Sequence, residues 1–356
     1  MKILVLGGGA IGSTIAAYLT RAAVDEVVMA DGWFAHVEAV RRDGLHVETV
    51  EGDVIVAVEA IHLDELAGLG QLDLIMIAGK SYDTRVLALL AREHLHDGTV
   101  VMSAQNGMND ATVAAVVGER HTAACVVPMA ADLYAPGRVR RTSPDTATAL
   151  IVGPYPSDDP GPDVAPHAGA LGRNGAFGAV SVVPDIRPER WGKLTLNTMS
   201  NAMAGLTGLR SENLWSTAEV VDVVTAIAHE TATVAAASGV AAAPVLGRIS
   251  HATLLAADTW GNDAWRDVHS FMRDTSGERV GRSSNRASLL QDIEKGRRTE
   301  VHHLNGWVAA TASQLGVQTP VNARITTEVE SVELGLRPPA LANIDGLVEL
   351  VHKVYG

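Results

Sequence analysis

Three observations predict an α/β chain with an all-α second half. An apolar run, Ile3 to Leu6, breaks at Gly7-x-Gly9-x-x-Gly12; short apolar runs alternate with helical stretches as far as Met129; and the chain after Pro188 consists of long stretches rich in Ala, Leu and Val. The first two describe a Rossmann-type doubly wound parallel sheet, and the third describes a helical domain. At 356 residues the chain exceeds the usual size of one hydrophobic core, so two domains are expected, a dinucleotide-binding domain at 1–185 and a helical domain at 186–356.

Ile3 to Leu6 reads as the first buried strand and Ser13 to Arg21 as the helix behind it. Gly7 permits the tight turn, Gly9 lets the backbone approach a pyrophosphate, and Gly12 allows close packing of helix on strand. The amides around Gly9, Ala10, Ile11 and Gly12, at the helix N-terminus, then face the anion. Glu26 to Asp31 is the second strand and ends in an acid nineteen residues after Gly12. From that position a carboxylate accepts hydrogen bonds from the ribose hydroxyls of an adenosine and repels a 2′-phosphate. Gly32, Trp33 and Phe34 supply no basic residue, and Arg41 and Arg42 lie about two helical turns further on. NAD(H) is therefore favoured over NADP(H); Arg41 folding back is the way this preference would fail.

Asp73 to Ala78, Thr99 to Ser103 and Ala124 to Met129 continue the parallel sheet. Lys80 and the run Gln105-Asn106-Gly107-Met108 follow two of these strands, in loops at the carboxyl ends where open α/β sheets bind ligands. Val139 to Thr142 and Ala149 to Val152 predict an antiparallel extension of the same sheet, with Ala179 to Val183 returning to it. Residues 153–166, which hold Pro154, Pro156, Pro160, Pro162 and Pro166, predict an irregular surface segment. Arg138, Arg140 and Arg141 are expected on a solvated strand face, and Lys295, Arg297 and Arg298 on a solvated helix.

In the second half a helix is expected from Glu189. It carries Lys193, Asn197 and Asn201 at successive four-residue steps, hence on one face. The intervening Leu194, Leu196, Met199 and Met203 are apolar, so the polar face must meet a partner or a cavity. A second polar set, Ser288, Asp292, Glu300 and Asn305, lies further along. The formal charge of −13 argues against nucleic acid or anionic membrane as partners. Charged residues make up 19%, no uninterrupted apolar run approaches the roughly 20 residues of a membrane span, and no targeting peptide is expected, so the chain reads as cytoplasmic. Cys125 is the single cysteine and reads as a buried strand residue; the 13 histidines show no metal spacing, so no metal site is expected. The apolar helices leave room for a homodimer.

Taken in order, the Gly7 to Gly12 turn, Lys80, Gln105-Asn106-Gly107-Met108, Lys193-x-x-x-Asn197-x-x-x-Asn201, and Ser288-x-x-x-Asp292 with Arg297-Arg298-Thr299-Glu300 and Asn305-Gly306 resemble the ketopantoate reductase family. The resemblance spans nearly the whole chain. It implies that Lys193 protonates the alkoxide formed when a 2-oxo acid accepts hydride from nicotinamide, and that Glu300 orients the lysine or binds the substrate hydroxyl. It also implies that Asn106, Asn197, Asn201 and Ser288 contact substrate or cofactor, and that Lys80 lines the same cleft. The sequence departs from the family at Asp31-Gly32-Trp33, where NADPH-using members usually carry a basic residue, and in a longer stretch between Val240 and Ser288 that includes Trp260 to Trp265. The expected activity is reduction of a 2-oxo acid to its 2-hydroxy acid, ketopantoate to pantoate first among them. The alternatives are a dehydrogenase of another hydroxy acid, an opine-type enzyme reducing an imine, and, more distantly, a non-catalytic dinucleotide sensor.

Overall fold

The computed structural model describes residues 1–24, 26–142, 148–155, 161–175, 177, 179–279 and 286–356, in two compact units, Met1–Ile186 and Arg187–Gly356. The first unit runs β1 (Lys2–Leu6), α1 (Ala10–Arg21), β2 (Glu26–Asp31), α2 (Phe34–Asp43), β3 (Leu45–Thr49), β4 (Gly52–Val56) and β5 (Glu59–His62). It continues with β6 (Leu74–Ile77), α3 (Thr84–Arg92), β7 (Val100–Ser103), α4 (Asp110–Val117), β8 (Thr122–Val126), β9 (Ala131–Ala135), β10 (Arg138–Arg141), β11 (Thr148–Pro154), α5 (Ala165–Leu171) and β12 (Ala179–Val182). Eight strands form one sheet in the order β12-β11-β8-β7-β6-β1-β2-β5. From β5 to β8 all neighbours are parallel, and the order is that of the dinucleotide-binding sheet, with its switch point between β1 and β6. Strands buried on both faces read as continuous apolar runs, and residues 3–6 and 74–77 are fully buried, as is Cys125 in β8.

The expected extension is realised in part. β11 pairs antiparallel with β8 and β12 returns parallel to β11, but β10 does not join them. Instead β4-β3-β10-β9 form a second, four-stranded sheet in which β3 and β10 run parallel, Val47 opposite Val139. Short strands with mixed patterns carry little local signal for such a pairing, because their partners lie far away in the chain. Along β10 exposure alternates, so Arg141 shares the inward face of Val139. Its guanidinium lies buried over the Tyr18 ring of α1, 5.0 Å from the centroid, rather than on a solvated face. The expected irregular segment is likewise shorter than 153–166. Gly153 and Pro154 close β11, and α5 starts at Ala165 with Pro166 in its first turn, a position that needs no amide donor. Residues 156–160 lie outside the described residues.

The second unit holds eight α-helices among the described residues: α6 (Arg187–Thr207), α7 (Ala218–Ala237), α8 (His251–Ala256), α9 (Asp263–Arg279), α10 (Ser288–Glu294), α11 (Asn305–Leu315), α12 (Pro320–Glu333) and α13 (Asp345–Tyr355). α6 starts two residues before Glu189, with Pro188 in its first turn. α7 is long and apolar enough to cross a membrane, and is largely buried within the unit. α10 ends before Lys295, so Arg297 and Arg298 are exposed beyond the helix rather than on it.

A buried polar chain ties the helices together. Glu230 on α7 is 1% exposed and accepts the Val321 and Asn322 amides at the start of α12, both at 2.8 Å, together with Asn322 Nδ2 and the Tyr355 hydroxyl. Asn322 Oδ1 accepts from Asn305 Nδ2, which also donates to the Thr198 carbonyl of α6. Burial raises the Glu230 pKa from 4.5 to about 7, against the opposing effect of its donors. A folded-state value above the unfolded one means stability that is whole below pH 4.5 and is lost as pH rises through 7. This group should lower the unfolding free energy by roughly 3 kcal/mol between pH 5 and pH 8. Urea unfolding at both pH values should show that difference reduced in Glu230→Gln; an unchanged difference would exclude Glu230 as its source.

Candidate active site

The turn after β1 is set by backbone crowding. Gly7 has φ of +109°, and a Cβ on it would collide with the Gly79 amide beyond the end of β6. A Cβ on Gly12 would collide with the Gly7 carbonyl oxygen. Gly9 is different: the nearest protein atom to a Cβ there is the Ala78 carbonyl oxygen, 4.0 Å away. A glycine that the protein itself does not crowd is what close backbone approach to a ligand requires. α1 begins at Ala10 without a side-chain cap, so the amides of its first turn lack intrahelical acceptors, and Gly9, Ala10 and Ile11 are partly exposed. The cradle fits the pyrophosphate of a dinucleotide.

Asp31 is built into the same turn. Its Oδ2 accepts the Gly8 amide and its Oδ1 the Trp33 amide, both at 2.6 Å. Each carboxylate oxygen has a further acceptor site, and the residue is only half-buried. Arg41 does not fold back onto it. Its Nε donates to the Ala60 carbonyl at 2.8 Å, and its guanidinium pairs with Glu38 at 3.1 Å and Glu65 at 2.5 Å. Arg42 is turned to Asp43.

Lys80 and Asn106 lie on adjoining loops that are bonded to each other. Gln105 Nε2 donates to the Gly79 and Lys80 carbonyls, while its Oε1 accepts from Thr84 and Ser103. Ser81 and Asn109 donate to the Asn106 carbonyl. Lys80 and Asn106 are themselves partly exposed. Gln105, Ser81 and Asn109 are thus the supports of this loop pair; polar residues flanking Lys80 and Asn106 were the only local sign of them.

In the helical unit the three residues expected on one face share α6. Lys193 is half-buried, while Asn197 and Asn201 are 5% and 6% exposed. Burial holds the Lys193 ammonium below the ordinary lysine value. Asn201 Oδ1 accepts the Ser288 amide at 3.2 Å, joining α6 to the start of α10, and the Ser288 hydroxyl is buried without a hydrogen-bond partner among the described residues. Asp292 and Glu300 are buried too, whereas Asn305 belongs to the polar chain described above. Trp260 and Trp265 face the C-terminal helix: the Trp260 amide donates to the Tyr355 carbonyl, and the Trp265 and Tyr355 rings lie 5.7 Å apart.

A parallel sheet in the dinucleotide-binding order, a glycine turn at its switch point, an acid at the end of β2 and a following helical unit define a two-domain Rossmann oxidoreductase. The chain matches the description Ketopantoate reductase PanE/ApbA over residues 3–156 and its C-terminal counterpart over residues 185–333, and it belongs to that family of nicotinamide-dependent oxidoreductases. A 2-dehydropantoate 2-reductase of Pyrococcus abyssi is 27% identical over 323 residues, 90% of this chain and 94% of the relative. The crystal structure of a PanE/ApbA family ketopantoate reductase from Ralstonia eutropha is 26% identical with a TM-score of 0.74, covering 94% of this chain and 99% of that one. A D-mandelate dehydrogenase with NADH and anilino(oxo)acetate shares the fold, with a TM-score of 0.77 and 22% identity over 94% of this chain and 99% of that one.

The crowding distinguishes the glycines by experiment. Gly12→Ala should lose about 3 kcal/mol of stability or more through overpacking, whereas Gly9→Ala should unfold within a few tenths of a kcal/mol of the wild type. Thermal denaturation of the two variants checks this, and equal losses would contradict it.

Proposed function

We propose that the protein reduces a 2-oxo acid to the 2-hydroxy acid with NADH, ketopantoate to pantoate being the leading reaction. The observation that carries this reading is Lys193, a half-buried amine with a lowered pKa that has no side-chain hydrogen bond or ion pair among the described residues and shares its helix face with Asn197 and Asn201. A buried ammonium of reduced pKa gives up its proton readily and stabilises negative charge before doing so. When bound, the nicotinamide supplies hydride to the carbonyl carbon. Lys193 Nζ gives a proton to the carbonyl oxygen as charge develops there, and takes it back in the oxidative direction. Glu300 orients the lysine or binds the hydroxyl. Asn197, Asn201 and Ser288 are assigned to the substrate by family resemblance, Asn106 to both substrate and cofactor, and Lys80 to the cofactor.

The preference for NADH rests on Asp31 and Arg41 together. A carboxylate at the end of β2 repels a 2′-phosphate, and the nearby arginine that would offset it is held by Glu38, Glu65 and the Ala60 carbonyl. A second reading, a different 2-oxo acid such as phenylglyoxylate, is supported by the shared fold of the D-mandelate dehydrogenase with NADH.

Steady-state assays with ketopantoate and phenylglyoxylate, each with NADH and NADPH, test both readings. We expect kcat/KM for NADH to exceed that for NADPH by tenfold or more, about 1.4 kcal/mol of discrimination. Turnover of phenylglyoxylate alone would establish the second reading, and turnover of neither would redirect the search to imines. Lys193→Ala should lower kcat by about 10²- to 10⁴-fold and leave the Kd for NADH unchanged. A kcat within tenfold of wild type would remove Lys193 as the proton donor. In the wild type the rate of reduction should fall as pH rises through a value below that of a free lysine, since only the protonated amine donates.

A further inference from the structure

Beneath the glycine turn lies a histidine that neither the motif nor the proposed chemistry accounts for. His36, on α2, is fully buried and stacks on Trp33. Its Nδ1 lies 3.0 Å from the amide of Gly137, which donates to it from the turn between β9 and β10. A ring nitrogen that accepts an amide proton carries none of its own, so the neutral ring holds its proton on Nε2. Nε2 is 3.1 Å from Ser13 Oγ and therefore donates to it. Ser13 in turn donates to the Gly8 carbonyl at 2.8 Å; the Met29 sulfur, 3.7 Å away, is the weaker acceptor. Burial favours the same neutral form, opposed only by the field of Asp31.

The direction of every proton in this chain is thus determined: Gly137 amide to His36, His36 to Ser13, Ser13 to the Gly8 carbonyl. Its end point matters because a trans peptide carries its carbonyl and amide on opposite sides. Holding the Gly8 carbonyl inward turns the Gly9 amide outward, to the partly exposed mouth of the turn. The other end of the Gly8 residue is held by Asp31. We infer that His36 is a positioning residue for dinucleotide binding: through Ser13 it orients the Gly8–Gly9 peptide so that the Gly9 amide meets the pyrophosphate, and it anchors that orientation to the second sheet. The inference rests on the coenzyme reading above.

The test compares wild type, Ser13→Ala, His36→Leu, the double variant and His36→Gln by NADH fluorescence titration, steady-state kinetics and thermal denaturation. A glutamine amide spaces an acceptor and a donor much as Nδ1 and Nε2 do, so it preserves the chain without a titrating group. Ser13→Ala and His36→Leu should each raise the Kd for NADH roughly tenfold, about the value of one buried hydrogen bond, with kcat at saturating NADH within about twofold of wild type. The double variant should bind no worse than the weaker single one, because both interrupt one chain. His36→Gln should bind within about threefold of wild type. A folded Ser13→Ala with wild-type Kd would overturn the inference, and so would a His36→Gln that binds as poorly as His36→Leu. Should His36→Leu fail to fold, Ser13→Ala decides alone. Wild-type protein that binds neither NADH nor NADPH would overturn the coenzyme reading and this inference with it, whereas tight wild-type binding unaffected in the variants overturns this inference only.

Discussion

The absence of room at the end of β1 governs the first unit. Gly7 meets Gly79 across the switch point, and Gly12 meets the Gly7 carbonyl, so neither position admits a Cβ. The helix can then lie directly on the sheet, and its first amides emerge where the two central strands diverge. Three polar side chains hold that turn. Asp31 takes the Gly8 amide, Ser13 takes the Gly8 carbonyl, and His36 carries the restraint to the β9–β10 turn. The second sheet is therefore more than an appendage to the fold, since one of its turns supplies the first donor in the chain.

The helical unit solves a different problem. Helices rich in alanine and valine pack closely but specify their neighbours poorly, and a buried polar chain restores specificity. Glu230, Asn322 and Asn305 link α7, α12 and α11 to the Thr198 carbonyl of α6. The fixed helix is the one that carries Lys193, Asn197 and Asn201. Among the described residues Asn305 Oδ1 in this chain and the Ser288 hydroxyl at the start of α10 are both buried without a hydrogen-bond partner.

The sequence by itself determined what depends on neighbours along the chain. The glycine spacing announced the turn, the apolar runs announced β1, β2 and β6 to β8, and four-residue spacing placed Lys193, Asn197 and Asn201 on one face of α6, because helical and strand periodicities are local properties. Tertiary structure alone decided what depends on distant partners. It paired β3 with β10, turned Arg141 inward over Tyr18, held Arg41 with Glu38 and Glu65, and placed His36 between Ser13 and Gly137. An arginine in a short strand or a histidine in a helix carries no local mark of burial. Whether it is solvated or made part of a site is settled by which remote backbone group comes within hydrogen-bond reach once the two sheets and α1 have packed.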